Sequence, residues 1–311
     1  MTGASGQLGA EVVRMAHRLG WDVFGTFMSH PVPGPVFHYL DVTDRAAIGS
    51  LVEDLRPEAV IHAAANSDLD WCDRHKDLAY EINAVGARNV ARACKMAGAF
   101  LIYVSTDYVF DGQAGPYGEE DAPRPVVQYG FTKLSGEEQV METSPAFCVA
   151  RTSMQFGWAG TKENLATHVL RRLRSGQKVQ AVADLIVSPS YSGNVAEMLL
   201  EIVERRWPGV LNVCGATRMT RYQFAQKVAE AFGEDPGRIT PVTSEQIQWK
   251  TPRPKNCGLD VTQAMQALRR RPMCLEAALT RMRDEEIAAK PERAHVNCAL
   301  EPPTKSISAR D

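Results

Sequence analysis

Thr2-Gly3-Ala4-Ser5-Gly6-Gln7-Leu8-Gly9 opens the chain with three glycines spaced three apart, and residues 7–19 behind it carry a helical apolar period. Glycines at this spacing let the backbone approach a pyrophosphate, and the free N–H groups of a helix start hold its charge. Outward from this loop, short apolar runs at 22–26, 36–40, 59–63, 100–104 and 146–150 alternate with helix-like segments at 7–19, 44–55, 78–96 and 131–141. Strand–helix alternation predicts an α/β fold, a Rossmann-like doubly wound parallel sheet with helices on both faces. Thr43 is a candidate N-cap before Asp44, and Gly20 and Gly98 fall where helices end. One feature departs from the pattern. The glycine loop should follow the central strand of the sheet, yet only Met1 and Thr2 precede it. The first strand is expected to be truncated, with the natural start a few residues upstream.

After Arg151 the rhythm changes. Helices are expected at 164–174, 193–206, 262–268 and 274–283, and a short strand at 211–214. Thr220 and Gln223 form a capping box before an apolar face of Phe224, Val228, Ala231 and Phe232. Residues 236–256 read as loop, and 284–311 as a weakly ordered charged tail. The expected organisation is a cofactor-binding domain over 1–150, rejoined by parts of 184–207 and 252–268. A smaller α/β substrate lobe covers most of 151–283.

Composition narrows the function class. Of 311 residues, 35 are Lys or Arg and 37 are Asp or Glu, so a basic face for nucleic acid is not expected. Seven cysteines without a CxxC pair predict reduced thiols in a cytoplasm rather than a disulfide or zinc scaffold. No run approaches the ~20 apolar residues of a membrane helix, no apolar leader precedes Gly3, and no cluster has metal-ligand spacing.

The cofactor positions follow from the fold. Gly3, Ser5, Gly6, Gln7 and Leu8 would face a dinucleotide. No acid follows the second strand to hold a ribose hydroxyl; Ser29 and His30 stand there instead and suit a 2′-phosphate, favouring NADP over NAD. Asp41 and Val42 would meet the adenine, and Ala63, Ala64 and Ala65 supply small side chains at a strand end. Tyr129 and Lys133 lie four apart, on one helix face, where an ammonium would lower the phenol pKa and fit it for proton transfer. Thr106, at the carboxyl end of its strand, could hydrogen-bond a reacting oxygen. His62 reads as packed rather than catalytic.

These segments, with Tyr103-Val-Ser-Thr-Asp-Tyr-Val-Phe-Asp-Gly112, Gly115-Pro-Tyr-Gly-Glu-Glu-Asp-Ala-Pro-Arg-Pro125, Tyr129-Gly-Phe-Thr-Lys133 and Arg151-Thr152-Ser153, resemble the extended short-chain dehydrogenase/reductases. Within them the chain is most similar to the dTDP-4-dehydrorhamnose reductase group. The resemblance implies that Tyr129 is the general acid, that Lys133 tunes it and holds the nicotinamide ribose, that Asn83 supports Lys133 through water, and that Thr106 binds the substrate carbonyl. It implies NADPH-dependent reduction of the 4-keto group of a dTDP-6-deoxyhexulose. Leu69, Thr106, Asp107, Tyr108, Met154 and Arg253 would line the nucleotide-sugar site, Arg253 on a phosphate.

Two departures bear on substrate. Met154 stands where the group carries tryptophan, and Asp184-Leu185-Ile186-Val187-Ser188-Pro189-Ser190 lacks the group's Gln and Gly. Tyr108 replaces the glutamate of the dehydratases, which argues against elimination. Alternatives are a nucleotide-sugar epimerase and a non-catalytic relative, the regulatory subunit of methionine adenosyltransferase. The chain resembles the latter at residues 98–103 and at Met219-Thr220-x-Tyr222. A homodimer is a possible assembly.

Overall fold

Met1 and Thr2 lie between two strands that belong to separate sheets. The computed structural model of the protein describes residues 1–32, 36–247 and 249–297. Its first half runs α1 (Gln7–Arg18), β1 (Gly25–Phe27), β2 (Phe37–Tyr39), α2 (Arg45–Leu55), β3 (Ala59–His62), α3 (Leu69–Arg74), α4 (Lys76–Tyr80), a π-helical turn (Glu81–Val85), α5 (Gly86–Ala97), β4 (Phe100–Thr106), α6 (Gln128–Thr143) and β5 (Cys148–Thr152). Then come β6 (Gln155–Phe156), α7 (Leu165–Arg174), β7 (Val179–Val182), β8 (Ile186–Val187), β9 (Ser190–Tyr191), α8 (Ser192–Arg205), β10 (Gly209–Asn212), β11 (Met219–Thr220), α9 (Arg221–Ala231), β12 (Ile239–Val242), α10 (Thr262–Ala267) and α11 (Leu275–Asn297).

The main sheet is parallel in the order β10-β5-β4-β3, and β1 and β2 form a parallel pair beside it. Residues 1–4 join the two. The Thr26 N–H donates to the Met1 carbonyl at 2.8 Å, and the Thr2 N–H donates to the Ile61 carbonyl at 3.0 Å. β4 shows why both faces need cover. All seven of its residues are buried. Ile102 and Val104 point to the layer of α1 and α8, while Leu101 and Tyr103 point to the layer of α2 and α5. A second core lies beyond the sheet. Phe156, Leu170, Phe224, Val228 and Met282 bring α7, α9 and α11 together, against the parallel pair β7–β12. α8 and α10 contribute Leu199 and Ala264 to the first core.

Several expectations are corrected. The strand expected at 22–26 is Gly25–Phe27. Residues 236–256 contain a 3₁₀ turn (Pro236–Arg238) and β12, because Ile239 buries its side chain under α9. The helix expected to stop at Arg283 continues to Asn297, so 284–297 is not an irregular tail; Glu286 holds Arg174 there at 2.6 Å. The rest of that expected tail, 298–311, lies outside the described residues. Asp44, not Thr43, caps α2, because its carboxylate accepts from the Ala46 and Ala47 N–H groups. The Thr220–Gln223 capping box is present.

Two features seat α6 over β4 and β5. A side chain on Gly130 would come within 2.0 Å of the Tyr108 carbonyl oxygen, so the helix approaches this closely only with glycine there. Deeper in, Arg151 of β5 grips Glu137 of α6 through Nη2 at 2.7 Å and Nε at 3.1 Å, and the Ser105 hydroxyl of β4 donates to the same carboxylate at 2.5 Å. Both ions are 4–5 % exposed at the side chain. Arg151→Met should therefore strand a buried carboxylate and lower stability by about 3–5 kcal/mol in urea unfolding, while the double change Glu137→Leu/Arg151→Met should recover most of that loss. Equal loss in both variants would show that the pairing is not what matters.

Candidate active site

The carboxyl ends of β3, β4 and β5 open toward the N-terminus of α1, and the candidate residues gather there. Gly3 has φ +70°, and a Cβ on it would lie 2.9 Å from the Ala64 nitrogen. The loop therefore presses its backbone against the Ala63–Ala64 step, as the spacing of glycines demands. Gly6 caps α1 without a side-chain hydrogen bond, and the first turn carries no acid. The N–H groups and positive end of the helix are left for an anion. Among the described residues the buried Nε2 of Gln7 has no hydrogen-bond partner. A dinucleotide pyrophosphate fits these features. Ser29 and His30 are exposed just past β1, joined to each other at 3.1 Å. Asp41 accepts from the Thr43 N–H and hydroxyl, and Val42 is buried against α5. Leu8 packs into the first core and Ser5 stays at the loop surface.

Thr106 ends β4, in register with Thr152 of β5, and a 3₁₀ turn (Asp107–Val109) follows. The Thr106 hydroxyl donates to Asp107 Oδ1 at 3.1 Å and accepts from the Tyr108 N–H at 3.2 Å, and its side chain lowers the Tyr129 phenol pKa against the effect of burial. Tyr129 and Tyr108 meet edge to face with ring centres 6.0 Å apart. Lys133 is 2 % exposed. Its ammonium donates to the Val104 carbonyl at 2.8 Å and sits 3.9 Å over the Tyr103 ring. Burial pulls it down to about 7. The expected lowering of the Tyr129 pKa by Lys133 is corrected. Burial raises the phenol, with the Thr106 side chain opposing it. The ammonium is turned to the strand end instead.

Asn83 lies in the π-helical turn and does not reach Lys133 directly. Its amide donates to the Asn66 carbonyl and to the Thr132 hydroxyl, both at 3.0 Å, and its oxygen accepts from the Asn66 N–H at 2.9 Å. It ties the loop after Ala65 to α6. A π turn of this kind is a frequent mark of a functional site. His62 is packed as expected: Thr2 Oγ1 meets its Nδ1 at 2.7 Å, and burial holds it at about 3, neutral.

Leu69 begins α3. Next to it Asp70 meets Arg253 at 3.3 Å, and the Arg253 guanidinium lies 5.2 Å from the Trp249 ring centre. The pairing and the Thr251 N–H hold Asp70 below the usual carboxylate range, against the opposing effect of burial. Sequence reasoning missed Arg221, which donates to the Tyr108 hydroxyl at 3.3 Å and faces the same Trp249 at 5.9 Å. Its only signal was its place at the start of a capped helix. Met154 is half-buried, packed toward the second core. Tyr117 and Glu119, in the motif over 115–125, are structural here. Tyr117 stacks on Phe110 at 4.2 Å, and Glu119 accepts from the Asn212 N–H of β10 at 2.8 Å. Among the described residues no helix is long and apolar enough to cross a membrane, and no group of three metal-ligand side chains gathers.

Asp107 is the electrostatically unusual group. Burial pushes its carboxyl up to about 6, although the hydroxyls of Ser153 (2.6 Å) and Thr106 both donate to it. The folded value exceeds the unfolded ~3.9, so the fold favours the protonated form. Its contribution is complete below about pH 4 and is lost as pH rises through about 6. Against Asp107→Asn, the stability of the unmodified protein should fall by about 1.4 kcal/mol per pH unit across that window and run parallel above it. Urea unfolding from pH 4 to 8 reads this; a constant difference would contradict it.

Comparison with known proteins adds a lineage. Residues 1–287 match the family model described as RmlD substrate binding domain. The dTDP-4-dehydrorhamnose reductase of Mycobacterium tuberculosis (strain H37Rv) is 36 % identical over 85 % of this chain and 84 % of its own. The methionine adenosyltransferase 2 subunit beta of Xenopus tropicalis is 34 % identical over 84 % of this chain and 79 % of its own. The crystal structure of dTDP-4-dehydrorhamnose reductase from Bacillus anthracis, solved with NADP, superimposes with a TM-score of 0.82 at 30 % identity, covering 91 % of this chain and 97 % of that one.

Proposed function

The chain belongs to the RmlD substrate-binding domain family, and we propose that it is an NADPH-dependent reductase of a nucleotide-linked 4-keto-6-deoxy sugar. The observation that carries this is the Thr106–Tyr129–Lys133 group at the end of β4, beside an α1 N-terminus whose first turn carries no acid. When bound, NADPH would supply the hydride. The residues of this chain do the rest. Gly3, Gly6 and the first N–H groups of α1 hold the pyrophosphate, with Gln7 beside them. Thr106 and Tyr129 bracket a carbonyl oxygen, and Tyr129 gives it a proton as charge builds there. Burial alone makes the phenol a weak acid; Lys133, which burial draws down to about 7, is the group whose charge would assist it and which would hold the nicotinamide ribose. Asn83 fixes α6 against the loop after Ala65. Arg253 and Arg221, arranged around Trp249, suit the diphosphate of the substrate.

A second reading rests on one observation, the 34 % identity to a methionine adenosyltransferase subunit over most of the chain. In that case the same site would bind a dinucleotide without turnover, and the surface would engage a synthetase.

Turnover decides. NADPH oxidation with a panel of dTDP-4-keto-6-deoxy sugars should be observed, and Tyr129→Phe should lower kcat by about 10²–10⁴-fold while leaving NADPH binding intact. Lys133→Ala should weaken both. No turnover with any such sugar, together with capture of a methionine adenosyltransferase catalytic subunit, would establish the second reading. Full turnover in Tyr129→Phe would remove the proposed acid.

A further inference from the structure

Two guanidiniums act on the Tyr108 phenol, and among the described residues only one of them has a carboxylate as ion-pair partner. Burial raises that phenol, and the charges of Arg221 and Arg253 oppose it. Both also face one indole: their centres lie 5.9 Å and 5.2 Å from the Trp249 ring centre. Arg221 donates from Nη2 to the Tyr108 hydroxyl at 3.3 Å, while its buried Nε has no hydrogen-bond partner among the described residues. Arg253 pairs with Asp70. One carboxylate thus serves a site that holds two cations.

The Asp70–Arg253 contact is weak in form. It runs through Nη2 alone, at 3.3 Å, and the two side chains are 30 % and 11 % exposed. Nη1 is turned to the Thr251 carbonyl of its own segment at 3.0 Å, so the carboxylate is not gripped by both prongs of the guanidinium. A single, long, partly exposed ion pair contributes little. A phosphate held by both prongs makes two charge-assisted bonds, and the exchange of one anion for the other therefore favours the phosphate. Asp70 also has a hold that does not depend on Arg253, since its Oδ1 accepts from the Thr251 N–H at 3.2 Å. When Arg253 changes partner, the carboxylate stays where it is and its charge stands beside the incoming anion.

We propose that Asp70 sets the affinity of the substrate site as a built-in counter-anion, competing with the diphosphate of the ligand for Arg253. This rests on the reading above, in which Arg221 and Arg253 take that diphosphate. Asp70 does not position Arg253 for the ligand; it holds the guanidinium back and weakens the grip on ligand and product alike. The sign of the effect separates the two roles, because loss of a positioning group weakens binding and loss of a competitor tightens it.

The test is calorimetric titration of the full chain with dTDP, with NADP present, and thermal unfolding of each variant as the control for folding. Asp70→Asn keeps an oxygen for the Thr251 N–H and removes the charge. It should lower the Kd for dTDP by about fivefold or more. Asp70→Glu keeps the charge and should bring no such gain; Asp70→Ser takes the place of Asp70→Asn if the latter does not fold. Arg221→Gln and Arg253→Gln should each raise the Kd by about tenfold or more. In the Arg253→Gln background Asp70→Asn should lose most of its effect, as two groups in contact require. Unchanged or weaker binding in Asp70→Asn, with both arginine variants weakened, would overturn this inference and leave the diphosphate reading standing. No binding of dTDP to the unmodified chain, or none lost in the arginine variants, would overturn both.

Discussion

Glu137, Arg151 and Ser105 belong to three different elements, and their buried contact fixes where α6 sits. Arg151 comes from β5, Ser105 from β4 and Glu137 from the helix that carries Tyr129 and Lys133. A carboxylate and a guanidinium out of water tolerate little displacement, because each lost hydrogen bond leaves a charge unmatched. The helix is thus locked in rotation and in height over the strands. One turn earlier along α6, Lys133 reaches the Val104 carbonyl, and at the helix start Tyr129 meets Thr106. Gly130 lets the first turn lie against the Tyr108 carbonyl, so the phenol arrives at the strand end rather than above it.

From this placement the division of labour follows. β4 carries the Thr106 hydroxyl at its carboxyl end, and the 3₁₀ turn at Asp107–Val109 follows it. Asp107 meets Ser153 there, and the Ser188 N–H donates to the Ser153 hydroxyl at 3.1 Å. A chain of hydrogen bonds therefore runs from Thr106 to the segment that leads into β9. That chain of bonds passes through a carboxyl that burial raises to about 6.

Much of this was legible in the sequence. The alternation of elements, the glycine loop, the Tyr129/Lys133 spacing and the Thr220 capping box all depend on neighbours near in sequence, where period and spacing carry the information. What escaped depends on contacts far apart. β12 forms because residues 239–242 find β7 sixty residues upstream. α11 continues past Arg283 because Glu286 finds Arg174. Arg221 reaches Tyr108 across 113 residues, and no local pattern announces that. The phenol was misjudged for a related reason. Spacing four apart puts two side chains on one helix face, but not ammonium against hydroxyl, and burial governs the rest.

The same distinction explains the front of the molecule. Thr2 is held from both sides, to β1 through its neighbours Met1 and Ala4 and to β3 through its own main chain. Its hydroxyl also meets His62 and accepts from the Ala64 N–H at 3.3 Å. Gly3 follows immediately and must hold a left-handed backbone against that same alanine. The glycine loop can keep one shape only while β1 and β3 keep their separation. The geometry of the glycine loop and the packing between the two sheets are therefore one mechanical problem, with Thr2 as the point through which each is felt by the other.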